Sequence, residues 1–221
     1  MKNVHISLVG GQPTPVYVGI ICNLSVDEIV LICSTQTRED ADRIQKIYVE
    51  REIEKKAIEC IIKNDAELDA KEREKYNKEL NKKFKIKEWS PVELLKIYES
   101  TEALKDVYKD CEVTLNLTSG TKLWALALFD VFGKMENAKF FYVDQNNVIT
   151  DITTRKTFHP QEIIDPATRF ELHGTPLSSK KLYTEYTDAD FKVIKEIETL
   201  RQTAPKEFNN LIKLGKNQNK V

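Results

Sequence analysis

Four short stretches bring together the residue types that grip an anion or a polar ring. They are Gly10-Gly11-Gln12-Pro13-Thr14, Ser34-Thr35-Gln36-Thr37, Thr118-Ser119-Gly120-Thr121-Lys122 and the pair Asp144-Gln145. Glycine lets a ligand approach the main chain, and amides at a helix start carry partial positive charge. Hydroxyls and a lysine ammonium complete a phosphate-binding set. Neither glycine stretch is a common nucleotide motif. The order Gly120-Thr121-Lys122 is not the Gly-Lys-Ser/Thr of a phosphate loop, and Gly10-Gly11 does not extend to GxGxxG. A plainer alternative is that Gly10-Gly11 and Gly120 only turn the chain and that Lys122 is a solvated first-turn residue. What weighs against it is position, because all four stretches follow strand-like runs.

Those runs are Val4 to Val9, Glu28 to Cys33, Cys111 to Leu117 and Lys139 to Val143, with a shorter edge candidate at Phe84 to Lys87. Helical patterns alternate with them. Pro13 and Pro15 suit the first turn of a helix that continues through the apolar stretch Val16 to Leu24. Arg38 to about Lys83 is helical and densely charged, with Ile44, Ile47, Ile58, Ile61, Ile62 and Leu68 recurring. Its closely alternating signs predict a solvated excursion, not a nucleic-acid patch. Ser90-Pro91-Val92-Glu93 carries the signature of a capping box, with Ser90 at the N-cap and Pro91 at N1. Leu123-Trp124-Ala125-Leu126-Ala127-Leu128-Phe129 is apolar on every side, so it needs cover from the sheet and from a second subunit, and is read as a dimer-interface helix. Asp144 to Asn147 turns into a last hairpin strand, Val148 to Ile152. Strands alternating with helices predict an α/β fold with an open, mostly parallel sheet, whose crevice lies beyond the strands' carboxyl ends where the winding reverses. If the first and fourth strands are neighbours, two helix starts face that crevice.

Composition narrows the class. With 221 residues, 34 basic and 35 acidic side chains and a net charge of -1, the chain has no global field to attract a polyanion, and bulk nucleic-acid binding is not expected. No segment reaches membrane-spanning length, and the first residues lack the features of a signal peptide, so the expected location is the cytoplasm. Cys22, Cys33, Cys60 and Cys111 show no paired spacing and are expected to be buried structural thiols. His5, His159 and His173 are scattered without ligand spacing, so neither a metal nor a cofactor is called for.

The first motif (Ile6 to Pro15), the Cys33 to Thr37 strand end and above all Leu115-Asn116-Leu117-Thr118-Ser119-Gly120-Thr121-Lys122 resemble CARF, the CRISPR-associated Rossmann-like sensor domain. The similarity extends to the branch in which the sensor precedes a PD-(D/E)xK-type nuclease. It covers roughly residues 1–155. A connector over 156–182 and a helical appendage over 183–221, the start of an effector region, complete the expected organisation. Helices are read at Asp188 to Leu200 and Lys206 to Leu214. No nuclease motif is found after residue 165. Where family members often carry glycine before the Gly-Thr-Lys run, this chain has Ser119.

The resemblance implies a Rossmann-like homodimer whose two crevices merge into one pocket for a cyclic oligoadenylate, above all cyclic tetra-adenylate, the messenger of type III CRISPR antiviral defence. It assigns ligand contacts to Gly10, Gly11, Gln12, Thr14, Ser34, Thr35, Gln36, Thr37, Thr118, Ser119, Gly120, Thr121 and Lys122, with Asp144 and Gln145 reading adenine edges. Ligand binding would then pass allosterically to an effector domain or protein on the C-terminal side. An alternative is a ring nuclease that cleaves the messenger without metal. Ser119, Thr121 and Lys122 would be its candidate catalytic groups, working slowly because no histidine is expected near the motifs. A CARF-type transcriptional regulator ranks last, since the terminal helices lack a recognition helix.

Overall fold

The computed structural model describes residues 1–22, 25–63, 68–160, 164–175 and 188–204. The chain divides into two units, Met1–Leu177 and Ser178–Val221.

In the first unit β1 (Asn3–Leu8), β2 (Glu28–Cys33), β3 (Phe84–Glu88), β4 (Glu112–Asn116) and β5 (Ala138–Val143) run parallel. β6 (Ile149–Asp151) and β7 (Thr157–Phe158) add antiparallel at one edge. The spatial order is β3-β2-β1-β4-β5-β6-β7. The chain winds outward from β1 to β3 and returns to the other side of β1 as β4, so the reversal lies between β1 and β4. This is the mostly parallel, Rossmann-like α/β sheet expected from the sequence, with β1 and β4 as neighbours.

Period-two alternation divides β1 between two cores. Val4, Ile6 and Leu8 pack with Trp124, Leu128 and Phe132 of α5 (Lys122–Phe132) and with Ile97 and Leu104 of α4 (Leu94–Tyr108). On the opposite face Val9, Ile29, Leu31 and Cys33 pack with Val16 and Ile20 of α1 (Pro13–Ile21) and with Ile44 and Ile47 of α2 (Arg38–Ile62). Helices therefore cover both faces, as a buried parallel sheet requires.

The charged segment is only partly an excursion. Ala41, Ile44, Ile47 and Val49 are buried, whereas Ile58 and Ile62 are exposed, so α2 leaves the core near its middle. Its outer side carries short-range ion pairs, including Arg51–Glu54 and Lys55–Glu52. α3 (Ala70–Lys82) opens on a capping box in which Asp69 accepts from the Glu72 amide and Glu72 accepts from the Asp69 amide.

The Ser90 signature does not open a helix where expected. Ser90 Oγ does accept from the Glu93 amide at 3.2 Å, but Glu93 is extended at φ -86° and ψ 90°, and α4 begins only at Leu94. The Ser90 carbonyl is held by the Trp124 indole at 2.8 Å, which fixes this loop against α5. Of the four cysteines Cys33 is fully buried and the others are half-buried. After Pro160, where periodicity fades, lies α6 (Pro166–Leu172), capped by Asp165 and seated on α2: Arg43 donates to the Leu172 carbonyl at 3.1 Å and Arg51 to Thr168 Oγ1 at 2.6 Å.

In the second unit α7 (Asp188–Thr203) matches the first of the two expected terminal helices. The second, Lys206 to Leu214, lies outside the described residues, as does Leu24. No helix among the described residues is long and apolar enough to cross a membrane.

Candidate functional site

The reversal point joins the two glycine loops directly. The Gly10 amide donates to Ser119 Oγ at 3.0 Å, and a Cβ on Gly10 would stand 2.7 Å from the Gly120 nitrogen, so any side chain there would collide with main chain. Gly120 itself has φ +75° and faces Leu8 and Trp124, with no room for a Cβ. Gly11 borders open space. The loops after β1 and β4 thus form one surface at the starts of α1 and α5. Ser119 keeps a place within it because its hydroxyl supplies the acceptor that the Gly10 amide needs.

The hydroxyls divide into braces and open groups. Thr118 Oγ1 donates to Asn116 Oδ1 at 2.6 Å and accepts from the Val143 amide at 2.7 Å, tying the ends of β4 and β5 together. Asn116 is buried and reaches on to the Pro15 carbonyl at 3.1 Å. Thr37 Oγ1 donates to the Val9 carbonyl at 3.1 Å and accepts from the Ser34 amide at 3.0 Å, joining the ends of β1 and β2. Thr121 caps α5 by accepting from the Trp124 amide at 3.2 Å. Asp144 Oδ1 accepts from the Asn146 and Val148 amides, 2.8 Å each, and so shapes the hairpin turn. Ser34 is buried. Gly11, Gln12, Thr35, Gln36, Gly120, Lys122 and Gln145 are exposed and face solvent at these loops.

Lys122 is the first residue of α5, and among the described residues it has no ion-pair partner. Leu126 and Phe129 follow at i+4 and i+7 on the same stripe and are 63% and 47% exposed, while Trp124, Ala127, Leu128, Val131 and Phe132 are buried. One side of the apolar helix is therefore uncovered in the single chain.

Gln12, Thr14, Asp144 and Gln145 line a common cavity of about 270 Å³. Two residues outside the expected site share it: Arg169, and His173, which the sequence offered only as a scattered histidine. His173 Nε2 is hydrogen-bonded to Thr14 Oγ1 at 3.1 Å. This corrects the expectation that no histidine approaches the motifs. The signal was present as Asp165-Pro166, an N-cap followed by proline at N1, which places Arg169 and His173 one turn apart on a single face. Among the described residues no group of three or more His, Cys, Asp or Glu side chains is placed to hold a metal ion.

Residues 4–165 match the family model of the Card1 CARF domain. The chain belongs to this CARF family. No curated protein matches the sequence significantly. Among solved structures, Can2 from Sulfobacillus thermosulfidooxidans, solved in complex with cyclic tetra-adenylate, superposes with a TM-score of 0.57 at 15% identity, over 96% of this chain and 50% of that one. VC1899 from Vibrio cholerae gives 0.55 at 14% identity, over 77% and 39%. A type III CRISPR defence DNA nuclease activated by cyclic oligoadenylate also gives 0.55, at 13% identity, over 94% and 29%. These likenesses establish a shared fold. The CARF chain spans half or less of the length of each of these structures.

Proposed function

We propose that this CARF domain is a sensor in type III CRISPR defence that binds a cyclic oligoadenylate, specifically cyclic tetra-adenylate, between two copies of the chain and passes the event to an effector. The observation that carries the reading is the stripe Lys122, Leu126, Phe129 on α5, exposed beside the fused loops at Gly10 and Gly120. A second copy covering Leu126 and Phe129 brings the two Lys122 ammoniums and both loop pairs to one axis. A ring of identical nucleotides has matching symmetry, so an isologous pair of chains meets equivalent phosphates with equivalent groups. Its negative charge is met locally by Lys122 and main-chain amides, which suits a chain with a net charge of -1.

Calorimetry with three-, four- and six-membered adenylate rings tests this. Expected is one four-membered ring per two chains, with binding abolished by Lys122→Ala or by Gly120→Trp. Failure of every ring to bind overturns the proposal.

A second reading, slow cleavage of the bound ring, is favoured by the imidazole beside Thr14. In it a ribose 2′-hydroxyl gives up its proton and attacks the adjoining phosphorus, the 5′-oxygen leaves and takes up a proton to become a hydroxyl, and a 2′,3′-cyclic phosphate forms. The polar groups of the crevice hold the attack in line. Incubation of the native protein with cyclic tetra-adenylate and EDTA reads this directly: linear products support it, and an intact ring after hours excludes it.

A further inference from the structure

The cavity at Thr14 has one wall that the family match does not include, because the match ends at residue 165 and α6 begins at Pro166. We infer that α6 is part of the ligand site and that Arg169 binds a phosphodiester of the oligoadenylate. This inference rests on the sensor reading and extends the site beyond the strand-end loops.

The side chain's circumstances set it apart from the arginines of α2. Arg38, Arg43 and Arg51 each hold a carboxylate, respectively Asp42, Asp40 and Glu54. Arg169, among the described residues, has no ion-pair partner. It borders the 270 Å³ cavity with Gln12, Thr14 and His173, and also a neighbouring cavity of about 310 Å³ that reaches His159 and Asn146. A guanidinium between two cavities of mixed polar and apolar lining suits the linker of an oligonucleotide, with a phosphate at the junction and sugar and base on either side. Its planar fork matches two phosphate oxygens. Thr14 and Gln12 offer further hydrogen bonds from α1. Asp144, the carboxylate sharing the cavity, has Oδ1 occupied by two turn amides.

The wall is also held in place. Leu172 is fully buried, its carbonyl accepts from Arg43, and Thr168 is gripped by Arg51 and capped by Asp165. The imidazole of His173 is hydrogen-bonded to Thr14, which links the end of α6 to the first turn of α1.

Calorimetric titration of the full chain with cyclic tetra-adenylate at several salt concentrations tests the inference. Arg169→Gln is expected to weaken binding roughly tenfold to a hundredfold, the loss of a charge-assisted contact, and to reduce the salt slope by about one phosphate contact. Arg169→Lys should restore the slope but only part of the affinity, because a point charge replaces a fork. His173→Gln should produce a smaller loss. Lys139→Gln, at the far end of β5, is the control and should change nothing. If Arg169→Gln binds within twofold of the native chain while Lys122→Ala does not bind, α6 is no part of the site and the sensor reading stands. If the native chain binds no ring, both fall together.

Discussion

His5 sits on the central strand with its ring fully buried, 5.7 Å from the ring of Phe141, its Nε2 2.7 Å from Ser7 Oγ and its Nδ1 without a partner among the described residues. Desolvation pushes its pKa from 6.5 down to about 3, so the folded chain holds the imidazole neutral. Below pH 6.5 the unfolded chain binds a proton that the folded chain refuses. Stability is therefore complete above that value and falls as the pH drops toward 3. Between pH 7 and pH 5 this one group should remove about 2 kcal/mol. His5→Leu abolishes the contribution whatever it does to stability at neutral pH. Urea unfolding of the two proteins across this range checks it: the native curve should fall more steeply, and parallel curves would mean that His5 is protonated inside the fold. At the same scale, the braces at the crevice show how site residues double as structure. Ser119 serves the Gly10 amide, and Thr37 joins two strand ends, whatever either meets in the proposed ligand.

Among the elements, Thr118 is where β4, β5 and α1 depend on one side chain and its neighbour. Thr118→Val keeps the shape but leaves the Val143 amide without its acceptor and removes one donor from Asn116, which in turn holds the Pro15 carbonyl of α1. The expected cost is about 1 to 3 kcal/mol, read as a lower urea midpoint at constant slope. Lys122→Ala, exposed and without an ion pair among the described residues, should leave the unfolding free energy within about 0.5 kcal/mol of the native chain's. Equal stability for both variants would show that the Thr118 hydroxyl does not brace the fold.

This division between braced and open side chains was not legible in the sequence, where Thr118 and Lys122 read as members of one motif. What was legible rests on punctuation. Gly10-Gly11 before Pro13, and Gly120 before an apolar helix, mark strand-to-helix turns because few residues tolerate those geometries. Apolar runs such as Glu28 to Cys33 mark buried strands. The α4 start was misplaced because Ser90 closes its cap on Glu93 while the helix begins only at Leu94, with the Ser90 carbonyl held by the Trp124 indole of a helix remote in sequence. α6 escaped notice because seven residues are too few to show a period, and with it went Arg169 and His173.

For the molecule as a whole, the proposed sensor gives α5 two roles on one stripe, which would couple assembly to binding. Leu126 and Phe129 are exposed in the single chain, though Phe129 keeps an edge contact with Phe140 at 5.0 Å between ring centres. Leu126, with its side chain outward, can be changed without disturbing the core behind Trp124 and Leu128. Leu126→Glu would place two carboxylates against each other across a two-fold axis, where burial of like charges is strongly unfavourable. Sedimentation of the native chain should therefore give a dimer and that of the variant a monomer, with unchanged helix content by circular dichroism. The coupling makes the stronger demand. If the pocket is built from the loops of both copies, as proposed, the monomeric variant should lose cyclic tetra-adenylate binding although Lys122, Gly120 and Arg169 are all intact. High ligand concentration should drive it back toward the dimer by mass action. A monomer that binds the ring as tightly as the native chain would place the whole site within one copy, and α5 would then have some other partner.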